Sequence, residues 1–221
     1  MIYSVMVSHE RMPLLMASVN SYMRTASPDC VLHIVDNASE DEELIRYLRG
    51  LSEIGLCRVT FLSENKYPGI ATNIGWAKAP INADLLHRSD NDVEYLPGWS
   101  GEVRRRFARE SEWFGQLSMR TDPEEEFQDA VGGNCVIRRS VFSAGLRYPS
   151  EGWETTPWED GAFNMDLRKK GFRWGRVEQP CIVHIGDKML PHIDLDDPYY
   201  ERTYRVRGIS SILEKAKRVK V

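Results

Sequence analysis

The sequence predicts an α/β fold, a mixed and mostly parallel sheet flanked by helices, and three observations lead there. Apolar, β-rich runs alternate with helix-compatible runs over the first 92 residues, the pattern of strands joined by helical crossovers. The predicted strands run into polar groups, and in such sheets ligands bind beyond the carboxyl ends of the strands. The composition, 42% hydrophobic and 28% charged over 221 residues, is that of a chain able to pack one domain-sized core.

Residues 2–7 (IYSVMV) form the first strand and stop at the polar Ser8-His9-Glu10. A helix follows from about Pro13 to Arg24, with proline in its first turn and Leu14, Leu15, Val19 and Tyr22 facing inward. The second strand, Val31 to Val35, breaks at Asp36, and Ser39 with Glu42 has the spacing of a capping box opening a helix through Leu51. A third strand, Arg58 to Leu62, runs into Glu64-Asn65, and a helix-compatible run extends from Pro68-Gly69 to Ala79. A fourth, 83–88, ends in Ser89-Asp90-Asn91-Asp92. Beyond it the pattern is less regular. Residues 99–109 look helical, 113–119 a strand, 121–129 an acidic loop, and 131–142 a strand entering a short helix. Thr156, Pro157 and Glu159 suit the cap, first turn and capping carboxylate of a helix that ends near Lys170, with Gly171 just past its end. A last strand holds Cys181, Ile182, Val183 and His184.

The formal charge of −4 gives no indication of a nucleic-acid partner. Arg104-Arg105-Arg106 and the basic stretch Lys215 to Lys220 read as a solvated helix face and a tail. No apolar run is long enough for a membrane span, and the first residues lack the basic region of a signal peptide. Cys30, Cys57, Cys135 and Cys181 are widely spaced, with no CxxC pair, and read as reduced thiols of a cytoplasmic protein. Phosphate-loop, dinucleotide-fingerprint, HExxH and GxSxG motifs are all missing from the sequence.

Three constellations carry chemistry. Asp90-Asn91-Asp92 sets two carboxylates one residue apart beyond a buried strand, where they can hold a hard divalent cation and a ribose hydroxyl. Asp-rich loops also arise for turn-forming reasons. Glu159-Asp160 opens a helix among aromatics; Glu159 suits capping, and a partly desolvated Asp160 suits a general base. His184, followed by Asp187, ends an apolar strand and can ligate a metal, as can His192.

Taken together these segments resemble the family 2 glycosyltransferases of GT-A (Rossmann-like) fold. VMVSHER resembles the first strand and nucleotide loop, IVDNASED the DNxS element, and ENKYPGIATNIGWAKA the segment with spaced asparagines and glycines. RSDNDVEYLPGW is similar to the Asp-x-Asp with its Pro-Gly-Trp turn, GGNCVIRRSVF to the acceptor-side strand, and WEDGAFNMDLRKKGFRWG to the helix carrying the base. The resemblance implies one domain over residues 1–221: a nucleotide-sugar half at 1–98, an acceptor half at 99–190 and an extension at 191–221. Ser8, His9 and Glu10 would flank the nucleobase and ribose, Asp36 and Asn37 would read the base edge, and Asn65, Gly69 and Asn73 would shape the ribose–diphosphate pocket. Asp92, His184 and Asp90 would hold Mn²⁺ or Mg²⁺, with Asp90 and Asn91 also toward the donor. Gly133, Asn134 and Trp158 would face the acceptor, and Asp160 or Glu159 would be the base of an inverting single displacement. The expected donor is a UDP-, GDP- or dTDP-sugar, UDP favoured, and the acceptor a hydroxyl of unspecified identity. A retaining mechanism, a nucleotidyltransferase and an inactive nucleotide- or sugar-binding module of the same fold are the alternatives.

Overall fold

A computed structural model describes residues 1–119, 133–150 and 158–185. The first half alternates as expected: β1 (Ile2–Ser8), α1 (Met12–Thr25), β2 (Cys30–Asp36), α2 (Glu42–Glu53), β3 (Arg58–Phe61), α3 (Tyr67–Ala77) and β4 (Leu85–Ser89). Then come β5 (Val93–Tyr95), α4 (Trp99–Arg109), β6 (Phe114–Ser118), β7 (Cys135–Arg138), α5 (Arg139–Ser143), α6 (Trp158–Lys169), β8 (Arg173–Arg176) and β9 (Ile182–His184). The acidic loop at 121–129, Thr156, Pro157, Asp187, His192 and the stretch 191–221 lie outside the described residues, as does the side chain of Trp158.

Seven strands form one sheet in the order β3-β2-β1-β4-β7-β6-β8, and β5 pairs with β9 in a separate ribbon. β3, β2, β1 and β4 run parallel, β7 is antiparallel to both its neighbours, and β8 is parallel to β6. The sheet is therefore mixed, with its parallel half built from the first four strands. Register aligns the carboxyl ends: Ser8 lies opposite Asp36, Asp36 opposite Phe61, and Met6 opposite Ser89.

One hydrophobic cluster lies on each face. The face toward α1, α2 and α4 buries Leu15, Val19, Tyr22, Leu44, Leu48, Trp99 and Phe107, and all four predicted inward residues of α1 are buried. The face toward α3 and α6 buries Trp76, Tyr148 and Phe163, whose rings pack with Tyr148–Phe163 centroids 4.5 Å apart. Gly75 lets α3 lie against the sheet, since a Cβ there would come within 2.5 Å of Val5 Cγ1. Past α6 the N–H of Gly171 (φ 83°) donates to Arg168 O and that of Phe172 to Leu167 O, the paired closure of a Schellman motif at the expected glycine.

The capping box expected from Ser39 and Glu42 does not form. α2 is capped by Asp41, whose carboxylate accepts from the N–H groups of Glu43 (2.8 Å) and Leu44 (3.3 Å). Ser39 makes no capping box, because its hydroxyl is committed to Asp36. The basic run is paired within the chain: Arg104 with Asp29, Arg105 with Glu102 and Arg106 with Glu110. No described helix is long and apolar enough to cross a membrane.

Candidate active site

The carboxyl ends of β1, β2 and β4 enclose a cleft of about 190 Å³ that His9, Arg11, Asn37, Asn65, Arg88, Asp92 and His184 help to line. A larger, open hollow of about 800 Å³ lies toward the other end of β1, β2 and β3, beside Tyr22, Leu32, Cys57 and Lys78. Size does not decide between them: the polar groups converge on the smaller cleft. Backbone conformation agrees. Among the described residues the non-glycine positions with left-handed φ are Glu10 (49°), Arg11 (62°) and Ala38 (63°), in the loops that follow β1 and β2, and Tyr67 (63°), the first residue of α3 after the β3 loop. Such strain persists where the surroundings over-determine it, commonly at ligand sites.

Those loops clasp one another. The Asn37 N–H donates to Ser8 O (2.7 Å), its Nδ2 donates to Asn65 Oδ1 (2.7 Å), and its Oδ1 accepts from the Lys66 N–H (2.8 Å). Asp36 is turned to its own loop, accepting from Ser39 Oγ (2.6 Å) and the Ser39 N–H (3.2 Å). Burial raises the Asp36 carboxyl above its usual range, against the lowering effect of those two bonds. Ser39 Oγ in turn accepts from the Glu10 N–H (3.0 Å), while Glu10 Oε1 accepts from the Glu40 N–H (2.5 Å). Ser8 Oγ and His9 Nδ1 are buried with no hydrogen-bond partner among the described residues. Asn73 exchanges two bonds with the backbone of Tyr148 (2.8 and 3.1 Å), and Gly69 leaves room for Tyr148 and Glu159, since a Cβ there would lie 2.7 Å from Tyr148 Cβ and 3.2 Å from Glu159 Cδ.

The Asp-x-Asp carboxylates diverge. Asp90 accepts from Asn134 Nδ2 (2.6 Å) and its N–H donates to Asn134 Oδ1 (3.1 Å), with Gly133 packed against the same carboxylate. Asp92 instead meets His184, Oδ1 to Nε2 3.3 Å, and Arg11, whose Nη2 lies 3.0 Å from Oδ2. The β5–β9 ribbon makes that meeting: Val93 lies opposite His184, and the Ile185 N–H donates to Asp92 O (2.8 Å). Burial pushes the Asp92 carboxyl up, but His184 and then Arg11 outweigh it, and the net shift is downward. Asn91 is buried at the cleft between the two acids.

A divalent cation fits this pair. Asp92 Oδ1 is buried without a hydrogen bond among the described residues and faces an imidazole nitrogen. Their 3.3 Å separation suits neighbouring ligands of one ion, which lie about 3 Å apart in an octahedral shell with ~2.1 Å bonds. No third histidine, cysteine or acid completes the set among the described residues, so the remaining positions would fall to diphosphate oxygens or water.

The feature that sequence reasoning missed is Arg88. It lies in β4, 4% exposed, and its guanidinium forks between the two acids in the first turn of α6, with Nη2 3.0 Å from Glu159 Oε1 and Nη1 on Asp160 Oδ1. Its Cζ lies 4.4 Å from the centroid of the Tyr148 ring. Burial alone disfavours its charge, but Asp160, Tyr148, Glu159 and Asp90 more than offset this and raise its pKa well above the ordinary value. The signal available in the sequence was a charged residue inside the predicted strand 83–88. Arg11, the basic residue of the loop after β1, is likewise given no role in the site by the sequence alone.

No protein-family model and no curated protein matches the sequence. Solved structures do match in shape. A mannosyltransferase, PcManGT from Pyrobaculum calidifontis, in complex with GDP-Man and Mn²⁺, superposes with a TM-score of 0.70 at 13% identity over 100% of this chain and 64% of its own. S. aureus TarS (1-349) in complex with UDP-GlcNAc gives 0.66 at 13% identity over 93% and 71% of the two chains. GalNAc-T7 with UDP, GalNAc and Mn²⁺ gives 0.63 at 17% identity over 82% and 42%. The chain thus spans about two thirds of the mannosyltransferase and under half of GalNAc-T7. With the strand order and strand-end cleft described above, these likenesses establish that the chain has the GT-A fold of glycosyltransferases.

Proposed function

We propose that the cleft binds a nucleoside diphosphate-sugar with a divalent cation and transfers the sugar to an acceptor hydroxyl. The observation that carries this reading is the Asp92–His184 pair, 3.3 Å apart beside a strand-end cleft. The ribonucleotide lies over the clasped loops of Ser8, His9, Glu10, Asp36, Asn37 and Asn65, with Gly69 and Asn73 fixing the floor and Asp90 and Asn91 toward the donor. Mn²⁺, which accompanies two of the similar structures, or Mg²⁺ supplies Lewis-acid neutralisation of the diphosphate when bound at Asp92 and His184. UDP and GDP donors both suit this reading, since both occur among those structures.

Asp160 is the better base of the two acids, because its side chain is 17% exposed against 8% for Glu159. Glu159 anchors Arg88, and Arg88 orients Asp160. Asp160 takes the acceptor hydroxyl proton as that oxygen bonds the anomeric carbon, the bond from that carbon to the diphosphate oxygen breaks, and the nucleoside diphosphate leaves with the electron pair. The configuration inverts. Gly133 and Asn134, which seat Asp90, border the acceptor side of the donor site. A thermal-shift panel of UDP, GDP and dTDP with and without Mn²⁺ tests binding: metal-dependent stabilisation by one of them supports the reading, and no response to any sinks it.

One observation favours a second reading. Both acids in the first turn of α6 are tied to Arg88, a carboxylate state suited to structure as much as to proton transfer. In a binding module Asp160→Asn would leave nucleotide binding intact with no turnover to lose; in the transferase it removes turnover while binding persists.

A further inference from the structure

Arg11 sits where a second positive charge is least needed if a metal is present. Its Nη2 lies 3.0 Å from Asp92 Oδ2, and the two side chains are only 15% and 10% exposed. The arginine cannot drift far, because its backbone is fixed. Arg11 caps α1 in a left-handed conformation, its carbonyl accepts from the Leu14 and Leu15 N–H groups, and neighbouring Glu10 is pinned to Ser39 and Glu40. Two successive non-glycine residues with positive φ are held to aim this side chain into the cleft.

We infer that Arg11 is a tethered cation that occupies one oxygen of Asp92 until a diphosphate arrives, and that it then moves onto the diphosphate. The inference rests on the proposed donor and metal site. Asp92 has two oxygens; His184 faces Oδ1 and Arg11 covers Oδ2. A bare divalent ion entering beside His184 meets a carboxylate already neutralised and a positive charge within contact distance, so it binds weakly. A diphosphate reverses the balance. The guanidinium fork matches phosphate oxygens at least as well as a carboxylate, and its departure returns the full charge of Asp92 to the ion. Metal and diphosphate therefore bind together far more tightly than either does alone, which keeps the cleft closed to stray cations and commits it to metal–diphosphate pairs.

Free Mn²⁺ measured by electron paramagnetic resonance reads this without any turnover. The titration is run with Mn²⁺ alone, with Mn²⁺ plus UDP and with Mn²⁺ plus inorganic pyrophosphate, on wild type, Arg11→Met, Arg11→Gln and Asp92→Asn. In wild type either diphosphate tightens Mn²⁺ binding at least tenfold. Arg11→Met and Arg11→Gln each tighten Mn²⁺ alone at least threefold and reduce the diphosphate enhancement to under threefold. If both variants keep a native melting curve and bind Mn²⁺ alone no better than wild type, while Asp92→Asn loses it, the tethered-cation inference fails and the metal site stands. If Asp92→Asn changes Mn²⁺ binding in none of the three titrations, the metal site fails, and the proposed function with it.

Discussion

Gly133 has no room for a side chain, because the carboxylate of Asp90 lies where its Cβ would be, with Oδ2 2.6 Å and Cγ 2.9 Å away. The glycine and Asn134, just ahead of β7, thus form a socket for one acid of the Asp-x-Asp, in a segment that the sequence assigned to the acceptor side. Gly133→Ala forces Asp90 out of the socket. Donor-dependent turnover is expected to fall about tenfold, equivalent to ~1.4 kcal/mol, with Mn²⁺ affinity changed less than threefold because Asp92 and His184 are untouched. A steady-state assay with the responding nucleotide-sugar checks this, and unchanged turnover refutes the socket.

Arg88→Met leaves the carboxylates of Glu159 and Asp160 together near the α3 face of the core with no counter-charge. Breaking a buried pair of this kind costs about 3–5 kcal/mol, or roughly 10 °C in melting temperature for a chain of this length. Arg88→Lys keeps the charge but cannot fork between two acids, so an intermediate loss is expected. Pairing Arg88→Met with Glu159→Gln should recover part of the loss. Thermal denaturation followed by circular dichroism distinguishes the four proteins; a single-variant drop under about 2 °C would contradict the assigned role.

His33 and His87 are buried neutral. Burial, then the positive charges of Lys78 and Arg58, pulls His33 down to about 4, and burial alone takes His87 to about 3. Their folded pKa values lie below the unfolded value of about 6.5, so below pH 6.5 the unfolded chain binds protons that the native state refuses. Stability is therefore whole above pH 6.5 and declines as pH falls toward 4, by up to ~1.4 kcal/mol per pH unit for each histidine. The lowered Asp92 contributes no slope there, since its stabilisation is lost only as pH falls below about 4. The raised Asp36 acts oppositely at the lower end of the window. Urea unfolding at pH 7 and pH 5 should show the decline, flattened in His33→Gln/His87→Gln.

All four thiols are free. Burial pushes Cys57 up to about 11 and Cys181 up to about 12, and it also raises Cys135. Cys30 is only half-buried. Native protein at pH 8 should react rapidly with one equivalent of an aromatic disulfide reagent at Cys30, and with four after denaturation; Cys30→Ser should abolish the fast phase.

The parallel half of the sheet was legible because its strands are long enough to show a pattern and end in groups that cannot be buried without partners. Asp36, Asp90 and Asp92 were found that way. What the acids do was not legible. Asp36 reads as a ligand group in the sequence, yet its oxygens hold Ser39, and that commitment moved the cap of α2 to Asp41. β5 and β9 have three residues each, too few for periodicity to mark their pairing. Arg88 was hidden by its surroundings: a strand run invites an apolar reading, and its partners in α6 are adjacent only in space.

The ribbon of β5 and β9 has a consequence for the order in which the molecule matures. In chain order β9 follows every strand of the main sheet, so His184 can reach Asp92 only once β9 has been made and paired with β5. A chain halted before Ile182 would hold β1 to β8 and lack this histidine, so the pair proposed to grip a cation depends on β9.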